Sequence, residues 1–289
     1  MPHAPLALTI PSPPSPVIFN LGPLTFRYYG LLVVLGIALA AWLTSRELSR
    51  KGYDGSMALD ALFFVVPFGF VGARAYHVIT DFELYRNDPF PAVFGGQGLG
   101  IYGAVVGGFI GGVLFIVASK SSLYGRIFGK TYNVGLLTFA DAAAPGLILA
   151  QAVGRWGNYF NQELFGRPSG LPWAIRIDPA NRPPAFKNYE SFHPTFLYES
   201  LWDVLVCLLL LFIARRFAAR LKNGDVFLLY VSLYSLGRFF IEALRIDPAF
   251  PIGTIRGNLF VASILALTFA LILFLRHAGT RRKRSAGGA

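Results

Sequence analysis

The sequence predicts an all-α integral membrane protein of seven transmembrane helices, N-terminus outside and C-terminus cytoplasmic. Three observations carry that prediction. Hydrophobic residues make up 54% of the 289-residue chain and charged ones only 14%, with a mean hydropathy of +0.53 that soluble domains rarely show. Seven apolar stretches come close to the roughly 17–25 residues a helix needs to cross a bilayer. Basic and acidic loops alternate along the chain, as they do when short Lys- and Arg-rich loops stay in the cytoplasm.

The elements follow in order. The Pro-rich start, residues 2–16, lacks a basic n-region, and no small-residue cleavage site follows the first span; it reads as an extended outer tail rather than a signal peptide. The spans are expected over 28–44, 57–79, 99–119, 134–153, 196–214, 226–241 and 259–275. Arg46, Arg50 and Lys51 follow the first, Lys120, Arg126 and Lys130 the third, and Arg215, Arg216, Arg220 and Lys222 the fifth. Arg276, Arg281, Arg282, Lys283 and Arg284 lie in the expected cytoplasmic tail, 276–289. The loop after the second span is acidic instead, with Asp81, Glu83 and Asp88 against Arg86. The whole chain, 1–289, is expected to form one polytopic domain. Its long segment 154–195, with Trp156, Trp173 and the alternating run LPWAIRI, is expected to fold as a small extracytoplasmic element.

The net charge of +11 does not imply nucleic acid. Fifteen of the 26 basic residues sit in the four cytoplasmic segments, where topology and anionic headgroups explain them. The rest, among them Arg74, Arg155, Arg238, Arg245 and Arg256, fall on the outer side or inside spans. Cys207 is the only cysteine, so an internal disulfide and a cysteine-rich metal site are both excluded. In the run VCLLLLF it behaves as a small hydrophobe. No cofactor and no metal are expected.

Residues 154–168, GRWGNYFNQELFGRP, concentrate the chemistry: two arginines, two asparagines, a glutamine and a glutamate directly after apolar sequence. Ionisable groups where hydrocarbon begins are costly and so usually functional. Arginine's planar fork pairs bidentately with phosphate, which points to a phosphate site at membrane level. In the sixth span Tyr234, Arg238, Glu242 and Arg245 fall at i, i+4, i+8 and i+11, on one helix face. Two arginines against one carboxylate leave surplus positive charge for a phosphate. In HPTFLYES, Glu199 sits in the first turns of the fifth span and wants an arginine partner, while His193 reads as a capping or interfacial residue. Asp141 makes the same argument more weakly, and Arg74 is expected to snorkel. Gly103, Gly107 and Gly111 stack on one face of the third span, where small residues let helices approach closely. Gly95 to Gly100, just before it, form a candidate anion-binding backbone turn.

These motifs resemble, in order and over nearly the whole chain, the bacterial phosphatidylglycerol–prolipoprotein diacylglyceryl transferases. The resemblance rests on RYYG in the first span, GAR in the second, the glycine-rich entry to the third, DAAAP, the 154–168 block, HPTFLYE and GRFFIEALR. It implies transfer of the sn-1,2-diacylglyceryl group from phosphatidylglycerol to the lipobox cysteine of a preprolipoprotein, in a bacterial cytoplasmic membrane. A thioether forms and glycerol phosphate leaves, so the partners are phosphatidylglycerol, lipobox peptides and membrane lipids, with no nucleic acid. The nucleophile arrives on the substrate, which is why the enzyme needs no cysteine of its own. By this match Arg155, Arg238 and Asn158 are candidates to stabilise the leaving phosphate. Tyr29 and Gly166 match family positions. Asn161, Glu163, Glu199, Tyr234, Glu242 and Arg245 complete the candidate site. Where many members carry a histidine before two glycines, this chain has Tyr102, Gly103 and Ala104. A tyrosine near pKa 10 is a poor base for a thiol near 8.5. The proton acceptor is therefore open between Tyr102, Glu242, His193 and the leaving phosphate. A transporter or flippase for an anionic lipid or solute is the rival reading; the lack of an internal repeat argues against it.

Overall fold

The computed structural model describes residues 9–22, 24–86, 100–247, 251–252 and 255–286. It is mostly helical: α1 (Tyr28–Arg50), α2 (Met57–Thr80), α3 (Ile101–Ala118), a short α4 (Ser122–Phe128), α5 (Leu136–Asn161), α6 (Thr195–Arg216), α7 (Asp225–Glu242) and α8 (Gly257–Ala286). All but α4 and α7 are long and apolar enough to cross a membrane, six helices among the described residues where the sequence predicts seven spans. The helix over the sixth predicted span, α7, carries Asp225, Arg238 and Glu242 within its 18 residues, and that charge sets it apart. The chain divides into two compact units, residues 41–142 and residues 1–40 with 143–289.

In the unit 41–142, α2 and α3 pack through the glycine stripe. A Cβ on Gly103 would run into the carbonyl oxygen of Gly72, one on Gly107 into that of Phe68, and one on Gly111 would lie 2.6 Å from that of Phe64. The stripe is thus a helix-packing surface. Leu48, Met57, Ala61, Phe115, Tyr124 and Tyr132 form a core around the short α4, which Ser121 caps by accepting from Tyr124 N at 3.1 Å. Asp60 gathers the hydroxyl of Tyr132 at 2.6 Å, that of Tyr124 at 3.4 Å and Lys130 Nζ at 3.2 Å. Burial and the Asp60 carboxylate push the Tyr124 phenol up to about 12. Asp141 pairs with Lys51 at 3.8 Å. Arg74 is buried with its guanidinium 5.3 Å from the centre of the Tyr85 ring, so it stacks where snorkelling was expected.

In the other unit an antiparallel hairpin, β1 (Val17–Leu21) and β2 (Leu24–Arg27), leads into α1, with Phe19 stacked on Phe26 at 4.5 Å. The helix α5 runs to Asn161, eight residues beyond the predicted span end, so the first half of the 154–168 block is helix, not loop. Nothing in GRWGNYFN breaks a helix; the break comes at Gln162 and Leu164, both with positive φ. Gln162 secures this turn from both edges of its amide, donating to Asp178 Oδ2 at 2.6 Å and accepting from Asp178 N at 2.8 Å. That hydrogen bond holds the Asp178 carboxyl below the usual carboxylate range.

The following segment is a small folded element. Strands β3 (Ile175–Arg176) and β4 (Ser191–Phe192) pair antiparallel over a core of Phe165, Ile175, Ile177, Phe192 and Phe196. Ile10 bridges to Ile175, and Tyr159 donates to Pro11 O at 3.1 Å, so the described part of the Pro-rich start packs onto this element and is not a free tail. Between α6 and α7 the Trp202 indole donates to Leu233 O at 3.0 Å and lies where a Cβ on Gly237 would stand. The far end of α7 is tied to α8 by Asp225, which accepts from Arg276 at 3.0 Å and pairs with His277 at 2.7 Å. Backbone helix continues through the expected tail to Ala286. The candidate anion turn at Gly95 to Gly100 lies, except for Gly100, outside the described residues.

Candidate functional site

Three helix ends converge beside the small element and bring their ionisable side chains together. From α5 comes Arg155, from α6 Glu199, and from α7 Tyr234, Arg238 and Glu242. Glu199, 4% exposed, bridges two arginines: Oε2 meets Arg155 Nε and Oε1 meets Arg238 Nη1. Arg238 Nη2 donates to Glu242 Oε2 at 2.8 Å, and Arg155 Nη2 to the Tyr234 hydroxyl at 3.4 Å. Three of the four residues predicted for the sixth-span face, Tyr234, Arg238 and Glu242, share α7, and Arg238 is the arginine partner expected for Glu199; Arg245 lies past the helix end at Glu242.

The cluster extends further than the sequence indicated. Arg256, on the hairpin β5 (Pro251–Ile252) and β6 (Ile255–Arg256), donates to Glu242 Oε1 at 3.0 and 2.7 Å. Asn258 donates to the same oxygen at 3.2 Å. Arg245 grips Asp247 through two bonds, 2.7 and 2.9 Å, and lies 3.8 Å from Glu242 Oε2. Glu242 is fully buried and serves three guanidiniums and an amide, which is the work of a holder and leaves it poorly placed to take a substrate proton. Arg256, Asn258 and Asp247 were missed as site residues. Arg256 had stood out as a basic residue in the wrong place, but no helical spacing ties it to Glu242.

The charge count also changes. Four guanidiniums face Glu199, Glu242 and Asp247, and Asp203, one turn along α6 from Glu199 and 2% exposed, lies within electrostatic reach of Arg155 and Arg238. The surplus inferred from α7 alone is largely offset by carboxylates from other elements. What the cluster offers an anion is donors. Among the described residues, Arg155 Nη1 and Arg238 Nε make no hydrogen bond, while their remaining nitrogens are held in place by carboxylates and Tyr234.

The other candidates divide. Asn158 and Asn161 both donate to Glu163 Oε1, at 2.8 and 3.2 Å, as a separate group at the end of α5. The Tyr29 ring lies against Gly157, and its hydroxyl is within electrostatic reach of Glu163 and Arg155. Gly166 is wedged between two backbone segments: it bridges to Arg245 and donates to His193 O at 3.0 Å. A Cβ there would lie 2.8 Å from His193 Cβ and 3.1 Å from Leu244 O, so no side chain fits. His193 shares its Nδ1 with the Tyr198 hydroxyl at 3.2 Å, which also accepts from Trp173 at 3.0 Å. Tyr102 belongs to the unit 41–142, where its ring packs on Tyr76 at 5.8 Å. Cys207 is buried, its thiol 3.3 Å from Pro145 O.

Residues 16–276 match the family model described as prolipoprotein diacylglyceryl transferase. A phosphatidylglycerol–prolipoprotein diacylglyceryl transferase of Paenarthrobacter aurescens is 44% identical, over 97% of this chain and 86% of its own. Similarly named proteins of Frankia alni and Streptomyces coelicolor are 43% and 40% identical, covering 92% and 97% of this chain and 67% and 86% of theirs. With a family model spanning most of its length and relatives well above 30% identity, the chain is a multi-pass membrane protein that belongs to the prolipoprotein diacylglyceryl transferase family.

Proposed function

We propose that this protein transfers the diacylglyceryl group of phosphatidylglycerol to the lipobox cysteine of a preprolipoprotein. The observation that carries the reading is a pair of arginines whose free donors, Arg155 Nη1 and Arg238 Nε, emerge from one carboxylate-clamped cluster. In the reaction the cysteine sulfur bonds to the terminal glycerol carbon as that carbon's C–O bond breaks. The bonding pair goes to the phosphate oxygen, and the thiol proton ends on the departing glycerol phosphate. Negative charge grows on the phosphate during this step, and donors fixed beforehand stabilise it without reorganising. Arg155 and Arg238 supply those donors. Glu199, Glu242, Tyr234 and Arg245 hold them, with Arg256 and Asn258 bracing Glu242. Asn158, Asn161, Glu163 and Tyr29 line the end of α5 beside Arg155. Gly166 keeps its segment tight against the backbone at Leu244 and Arg245, just past α7.

In this reading α7 also spans the membrane, as the sixth of seven spans in chain order. Its charges are tolerated because they face the cluster and are paired. The N-terminus and the small element then lie outside a bacterial cytoplasmic membrane, and the basic loops inside. The test is incubation of purified protein with phosphatidylglycerol and a lipobox peptide. Glycerol phosphate release with a matching mass gain on the peptide cysteine is expected. Lipid binding without either product would return the protein to a carrier role.

A further inference from the structure

Each of the three helices that build the arginine cluster carries one more polar side chain a single turn deeper. Gln151 precedes Arg155 on α5, Asp203 follows Glu199 on α6, and Tyr230 precedes Tyr234 on α7, each by four residues. Residues four apart share a helix face, displaced by about 5.4 Å per turn. The three therefore form a second polar layer on the side away from the small folded element. The layer is built rather than scattered: the Tyr230 hydroxyl donates to Gln151 Oε1 at 3.2 Å, and its ring stacks on Tyr234 at 6.2 Å. Asp203 lies within electrostatic reach of Arg155, Tyr230 and Tyr234.

Polar groups at this depth are costly unless paired or used. Mutual pairing accounts for Tyr230 and for one edge of the Gln151 amide. It leaves two groups over. Among the described residues, Gln151 Nε2 donates to nothing, and the buried Asp203 Oδ2 accepts from nothing. Gln151 and Tyr230 are only half buried, so the amide N–H groups are within reach of a small group.

The substrate class in the proposed reaction has a group to match. In a diacyl phospholipid whose phosphate meets Arg155 and Arg238, the ester carbonyls come next along the molecule toward the acyl chains. Their displacement from the phosphate is comparable with one helical turn. An ester carbonyl is an acceptor only, and what Gln151 has free is a donor. We propose that Gln151, oriented by Tyr230, donates its free amide N–H to an ester carbonyl of the diacylglyceryl group, so that the site selects ester-linked over ether-linked lipids. Asp203 faces the Arg155 charge from the same layer. This subsite rests on the diacylglyceryl transfer proposed above.

The test compares initial rates with dipalmitoyl phosphatidylglycerol and its dihexadecyl ether analogue, which has the same headgroup and chains but no carbonyls. Wild-type protein should prefer the ester lipid in kcat/KM by roughly tenfold, the scale of one hydrogen bond to a donor otherwise left dry. In Gln151→Leu, similar in size and without donors, that ratio should collapse toward one. Gln151→Met serves equally if the leucine variant does not fold. In Tyr230→Phe the ratio should fall partway, because the amide loses its orienting partner. Equal rates on both lipids with wild-type protein, or an undiminished preference in the leucine and methionine variants, would overturn the subsite and leave the transfer reaction standing. No transfer from either lipid would remove the reaction and the subsite with it.

Discussion

Replacing Glu199 by glutamine tests whether carboxylates hold the arginines in working position. The two oxygens of Glu199 meet different guanidiniums, Arg155 and Arg238, and the residue is 4% exposed. Glutamine keeps the size and one acceptor oxygen, but turns an NH2 group toward the other guanidinium. One charge-assisted hydrogen bond is lost, a contribution of about 1.5–3 kcal/mol. If that contribution is felt in the transition state, kcat/KM falls by roughly 10- to 150-fold, at about 1.36 kcal/mol per tenfold. The loss should lie in kcat. A cluster relieved of one negative charge attracts the lipid phosphate at least as well, so KM for phosphatidylglycerol should stay level or drop. The assay is the initial rate of thioether formation on a lipobox peptide, read by mass spectrometry over a range of lipid concentrations. Gel filtration and a thermal melt confirm the folded state. A folded Glu199→Gln protein with wild-type kcat would refute the argument. So would a raised KM with kcat intact, because Glu199 would then serve binding alone.

The remaining expectations are simpler. Arg155→Ala and Arg238→Ala should each abolish measurable transfer while the protein still purifies as a folded species; near-normal turnover in either would take that arginine out of the mechanism. Gly166→Ala should lower the melting temperature, the overpacking costing about 1–3 kcal/mol, because a methyl group there collides with His193 and Leu244; an unchanged melt would mean the strand has room to shift. Cys207→Ala should remain active, since the thiol is buried against Pro145 O and the nucleophile comes with the substrate; a folded but inactive variant would contradict this. Alkaline stability follows from Tyr124, whose phenol ionises near pH 10 when unfolded but only at about 12 in place. A raised acid in the folded state stabilises below the unfolded value, so stability should fall as pH rises from about 10 toward 12. Melting curves flat across that range would show that the phenol is not held neutral by burial beside Asp60.

What was legible from the sequence divides along physical lines. Span positions follow from apolar runs, because a helix in hydrocarbon must satisfy its own backbone. Span ends do not. The helix α5 continues through Arg155 and Asn158 because nothing local stops it, and the stop comes from positive φ at Gln162 and Leu164, which neither composition nor charge announces. The α7 ladder was legible because Tyr234, Arg238 and Glu242 obey one period on one helix, whereas Arg245 lies beyond the helix end at Glu242. Its partners were legible only in part. Glu199 was suspected as a carboxylate near a span start, whereas Asp203, four residues further on the same face, could have been found by the same argument and was not. Arg256, Asn258 and Asp247 reach Glu242 and Arg245 through a chain reversal after α7, and no spacing rule foretells which side chain a turn will return. Reading α7 alone therefore missed the carboxylates from other elements that offset most of its charge in the assembled cluster.

A cluster with as many carboxylates as guanidiniums looks ill suited to an anion, but the proposed reaction supplies a reason. Phosphatidylglycerol enters with one negative charge on its phosphate, and breaking the C–O bond adds charge to the departing oxygen. A strongly cationic pocket would grip the lipid before reaction and the glycerol phosphate after it, and uniform binding does not raise kcat. Carboxylates that cancel the long-range field weaken both of those states. They also keep Arg155 Nη1 and Arg238 Nε aimed, and a short-range donor gains most where charge is growing. The pairing with Glu199 and Glu242 is then not a competitor for the phosphate but the scaffold that lets two hydrogen-bond donors discriminate between one charge and two. On this account adding positive charge to the cluster should tighten lipid binding while slowing turnover, the same pattern expected of Glu199→Gln. A single variant thus tests both the geometry of the clamp and the electrostatic logic behind it.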